Sequence, residues 1–186
     1  CESDDKESGS NYYVYDGEKI NVNYDFEQPD INFLSPTSDG IIYIKGKAIE
    51  VEKLSELYIR KTKNVTTLNS NFLSGCSHLT KLDISGLTDL SANVPDNFLK
   101  GCSGLESFDM VNSLNNANII GNNFMLNCSS LKTIKNFKFD KVTKIGDSFL
   151  RDCSKLESLS LNNTHNVNEI GTHFLEGCAS IKNLDL

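Results

Sequence analysis

Cysteine is the residue best equipped for chemistry in this chain, and its placement is periodic. Cys76, Cys102, Cys128, Cys153 and Cys178 follow one another at intervals of 26, 26, 25 and 25 residues. Thiolates bind metals and form disulfides, but a metal needs ligands that converge on one point, as C-x-x-C pairs supply. No such pair exists, and five is an odd number for a closed disulfide set. Cysteines at one matched position per repeat would stack along an axis as small buried hydrophobes with inert thiols. His165 and His173 lie eight residues apart, close enough for a fortuitous metal pair. The repeat should carry the chain across a coil between them, so with His78 they read as solvated surface residues. No nucleophile elbow, P-loop, dinucleotide fingerprint or H-E-x-x-H motif occurs. Acidic pairs such as Asp4-Asp5 sit in a polar tail that cannot hold a geometry. Catalysis needs several groups fixed and shielded from water. The expectation is therefore no catalytic residue, no metal and no cofactor.

The elements that position these side chains repeat with them. Phe72, Phe98, Phe124, Phe149 and Phe174 keep the cysteine intervals. An L-x-x-L-x-L stretch follows each cysteine: Leu79, Leu82 and Ile84; Leu105, Phe108 and Met110; Leu156, Leu159 and Leu161; Ile181, Leu184 and Leu186. The third copy, Leu131 and Ile134, meets Asn136 where an apolar residue is expected, with Phe137 one place later. An earlier copy, Leu54, Leu57 and Ile59, lacks the preceding Phe–Cys segment. Alternating apolar and polar residues over so few positions specify short, half-buried strands, six of them. Asparagine, with 22 residues, clusters between them and suits tight turns. A second apolar pair follows most strands, as in Val142 and Ile145 or Val167 and Ile170, while one copy keeps only Val94.

Next comes N-F-L-x-G-C or a close variant. Ser70, Asp96, Asn122, Asp147 and Thr172 open it, all types that accept bonds from free amides at a helix start. Gly75, Gly101, Asn127, Asp152 and Gly177 close it, types that tolerate the left-handed residue after a helix. The spacing predicts one helical turn per coil, too short to stand without its neighbours. Stacked coils bury a continuous core. The fold expected is a leucine-rich-repeat solenoid over residues 51–186, with one parallel sheet on the concave face, strands ~4.8 Å apart, and helical turns on the convex side.

The pattern F-L-x-G-C-S-x-L-x-x-L-x-L, preceded by I-G, resembles the BspA-like bacterial leucine-rich repeats. Ile120-Gly121, Ile145-Gly146 and Ile170-Gly171 match the I-G element, while Val94-Pro95 and Leu68-Asn69 depart from it. The resemblance covers roughly residues 54 to 186, and these units run longer than the family's usual ones. It implies a surface or secreted protein that binds other proteins, host matrix proteins among them.

Residues 11–50 do not fit the repeat. Tyr12, Val14, Asp16-Gly17, Ile20 and Val22 predict a β-hairpin, and Ile42, Ile44, Lys45-Gly46, Ala48 and Val51 a second. Residues 25–39, with Pro29 and Pro36, read as a connecting loop. A solenoid needs its first apolar face covered, so residues 11–50 read as an N-terminal cap; a separate binding module is the other reading. Residues 1–10 read as a flexible tether. Cys1 and the acidic stretch after it resemble a mature bacterial lipoprotein, which implies an outer-membrane lipoprotein on the cell surface, held to the membrane only through lipid on Cys1. No apolar run approaches the ~20 residues a spanning helix needs. The formal charge of −7 argues against nucleic acid as a partner.

Strand alternation points Tyr58, Lys81, Asp83, Asp109 and Lys135 outward, and these are the candidate binding residues. Asp83 and Asp109 are expected to be stacked neighbours, with Tyr58 one coil before. The expected function is non-catalytic recognition or adhesion at the cell surface, with a protein ligand on the solenoid face. A glycan-binding accessory of a nutrient-uptake system is the alternative, kept open by Tyr12, Tyr13 and Tyr15 and weakened by the scarcity of aromatic residues on the face.

Overall fold

The structure is a computed structural model that describes residues 12–16 and 19–185. In chain order its elements are β1 (Tyr12–Asp16), β2 (Lys19–Asn23), α1 (Gln28–Asn32), β3 (Ile41–Ile44), β4 (Lys47–Glu50), β5 (Glu56–Ile59), β6 (Lys81–Asp83), β7 (Ser107–Asp109), β8 (Ile119–Ile120), β9 (Thr133–Lys135), β10 (Lys144–Ile145), β11 (Ser158–Ser160), β12 (Glu169–Ile170) and β13 (Asn183–Asp185). Short 3₁₀ turns at Val51–Lys53, Asn112–Asn116 and Thr164–Asn166 complete it. The six expected repeat strands are β5, β6, β7, β9, β11 and β13. They pair in parallel with one coil's offset: Leu57 lies opposite Leu82, Phe108 opposite Ile134, Leu159 opposite Leu184.

The expected single sheet is interrupted. The ladder runs β1-β2-β5-β6, breaks, resumes as β7-β9, breaks again and resumes as β11-β13. The second apolar pair forms its own narrow parallel sheet, β8-β10-β12, extended by a bridge from Val94 to Ile120. This second sheet joins neighbouring coils across both breaks.

The convex segment is not the helical turn that its cap-like residues suggested. A right-handed helix needs negative φ throughout, but here every second residue is left-handed. Asn71, Leu73 and Gly75 have φ of 67°, 51° and 82°, and the later coils follow the same pattern, as at Asn97, Leu99 and Gly101. The alternation turns successive amides along the solenoid axis in opposite senses. Asn97 donates forward to the Asn122 carbonyl, Leu99 back to that of Phe72, and Gly101 forward to that of Leu126. Left-handed leucine costs on the order of 1 kcal/mol or more and persists only where packing imposes it; Leu73, Leu99, Met125 and Leu150 are all buried. The residues taken for helix caps act between coils instead. Asp96 Oδ1 accepts the amide of Asn122, Asn122 Oδ1 that of Asp147, and Asp147 Oδ1 that of Thr172. The same bonds explain the I-G element. A Cβ on Gly121 would stand 2.6 Å from Asp96 Oδ1, and one on Gly146 would stand 2.5 Å from Asn122 Oδ1.

Inside, the repeated phenylalanines form one stack. Phe98 lies 5.6 Å from Phe72 and 5.5 Å from Phe124, and Phe149 lies 5.4 Å from Phe124 and 5.3 Å from Phe174, with interplanar angles of 15° or less. Residues 19–51 feed the same core through Ile20, Phe26, Ile31, Leu34, Ile42 and Ile49. Both expected hairpins are present as antiparallel pairs. The β3–β4 turn places Lys45 and Gly46 at φ of 51° and 77°, the two left-handed positions of a tight hairpin turn. Strand β2 also runs parallel to β5, Ile20 opposite Leu57, so it continues the repeat sheet. The expected loop over residues 25–39 contains α1, with Pro29 in its first turn, where the missing N–H costs nothing.

Candidate binding face

The outward side of the β2-β5-β6 ladder carries an ordered charge network. Glu56 lies beside Lys19 and Lys81, with nitrogen–oxygen distances of 3.8 and 3.4 Å. Its carboxylate also accepts the Tyr58 hydroxyl at 2.8 Å. That hydroxyl bond, aided by Lys81 and Lys19, lowers the Glu56 pKa, and the same bond raises that of Tyr58. The Arg60 guanidinium sits 4.7 Å from the Tyr58 ring centroid and donates through Nε to Asp83 Oδ2 at 3.0 Å. Partial burial would raise Asp83, but bonds from Ser85 and Arg60 overcome it and hold the carboxyl below its ordinary range. Tyr58, Lys81 and Asp83 therefore belong to one cluster. Lys19 and Arg60, which complete it, were not singled out by the repeat pattern, because both lie outside its L-x-L positions.

Asp109 and Lys135 face each other in register on β7 and β9. Asp83 and Asp109 are not ladder neighbours, since the sheet breaks between β6 and β7. Both nevertheless line the opening left by that break. One lobe of about 340 Å³ is bounded by Leu82, Asp83, Ile84, Ser85, Asp109 and Val111. A second, of about 490 Å³, shares Ser85, Asp109 and Val111 and adds Leu87, Thr88, Met110, Asn112, Ser113 and Asn136. Asn136 was legible as a departure from the apolar pattern. Its φ of 61° and the bond from its amide to Asp109 Oδ1 at 2.9 Å show what it does there.

The cysteines form the axial ladder their spacing implied. All five are free thiols; four are buried, and Cys178 is half-buried. The Sγ of Cys102, Cys128, Cys153 and Cys178 donates to the carbonyl of Leu73, Leu99, Met125 and Leu150 in the coil before. Burial pushes Cys76 and Cys153 up to about 12, and Cys102 and Cys128 well above the usual thiol range. Because the thiolate is the reactive form, a thiol reagent should leave four repeat cysteines unlabelled in the native protein and reach Cys178 first. Full labelling is expected only after denaturation, and mass spectrometry of the labelled peptides reads the order. Native labelling of Cys102 ahead of Cys178 would contradict the register.

Among the described residues no three of His, Cys, Asp and Glu converge as a metal site would require. His173 bonds Glu176, and His78 lies beside Ser77. No helix of the described residues is long and apolar enough to cross a membrane. Cys1 lies outside the described residues.

With this geometry in view, comparison with known proteins is direct. A solved structure of a leucine-rich repeat protein from Bacteroides ovatus ATCC 8483 is similar at 14% identity and a TM-score of 0.32, covering 98% of this chain and 68% of that one. No curated protein sequence matches. The family model for the BspA type leucine rich repeat region matches residues 23–118 and 92–186, with six copies. Stacked coils with parallel strands and a repeated Phe–Cys turn, together with that match over most of the chain, place this protein in the BspA-type leucine-rich-repeat family.

Proposed function

We propose that this chain is a non-catalytic recognition protein of the bacterial cell surface, tethered through lipid on Cys1, that binds a protein ligand on the outward side of its repeat strands. Leucine-rich repeats generally mediate protein interactions. The observation that carries the reading is the ordered cluster of Glu56, Tyr58, Arg60, Lys81 and Asp83, continued across the groove by Asp109 and Lys135. Charged and aromatic groups already held in position lose little freedom on binding. The chemistry is recognition: Arg60, Lys81, Asp109 and Lys135 are exposed and Glu56, Tyr58 and Asp83 half-buried, so water reaches the whole cluster.

The test has two arms. Full-length protein made in a lipid-modifying bacterium should partition into detergent and be released by Cys1→Ser. The soluble chain, screened against bacterial and host surface and matrix proteins, should yield a ligand whose affinity falls about tenfold or more, roughly 1.4 kcal/mol, in Lys81→Glu and in Lys135→Glu. Lys100→Glu, on the Phe–Cys turn, should leave affinity unchanged. Binding lost only in Lys100→Glu would move the ligand to the opposite side and end the reading.

A further inference from the structure

We draw no further inference here: the strongest candidate, the partly exposed apolar surface of Val167, Ile170 and Phe174 around a cavity of about 180 Å³ in the coil of β12 and β13, carries nothing, because nothing in the structure shows what covers it.

Discussion

Phe124→Ala is expected to lower unfolding free energy by about 3–5 kcal/mol, the range for truncating a buried phenylalanine. The ring lies between Phe98 at 5.5 Å and Phe149 at 5.4 Å and meets Phe137 edge-on at 5.6 Å, so its loss leaves a cavity that three neighbours border. In a solenoid, stability is a sum of coil terms and interface terms, and a middle coil enters two interfaces. Among the described residues Phe174 stacks on Phe149 alone, at 5.3 Å, and it is partly exposed, so Phe174→Ala should cost clearly less. Denaturant unfolding of both variants against the parent measures the difference. A Phe124→Ala cost below about 1 kcal/mol, typical of surface sites, would refute the stacked arrangement.

Gly146→Ala is expected to destabilise by about 1–3 kcal/mol, although it adds only one methyl group. The added carbon would stand 2.5 Å from Asn122 Oδ1, 2.8 Å from the Asn122 nitrogen and 2.8 Å from the Gly121 carbonyl carbon. The oxygen cannot step aside freely, because it accepts the Asp147 amide at 2.8 Å and forms part of the axial ladder. Two of the three contacts are backbone, so relief requires the coils to separate. A melting temperature within error of the parent would show that the coils are not packed this closely and would remove the explanation offered for the I-G element.

The two substitutions test different kinds of legibility. The phenylalanine stack was visible in the sequence because a repeat is a one-dimensional code: equal spacing along the chain becomes stacking along the axis. The cysteine ladder followed from the same arithmetic. The I-G glycine was visible as a pattern but not as a reason, since its cause is an oxygen 24 or 25 residues earlier in the chain.

Sequence alone settled the repeat, its strands and their inward side chains, the left-handed residue before each cysteine, and the outward placement of Tyr58, Lys81, Asp83, Asp109 and Lys135. These depend on the local period and on residue type, which one coil already contains. Tertiary structure decided the rest. The residues read as helix caps can bond amides in their own coil or in the next, and only stacking brings the next coil within reach. The alternation of left- and right-handed residues in the Phe–Cys turn likewise has amides reaching both neighbouring coils, which no single segment reveals. The break between β6 and β7 is a property of the pairing between two coils, so the groove holding Asp83 and Asp109 was beyond any reading of the repeat by itself.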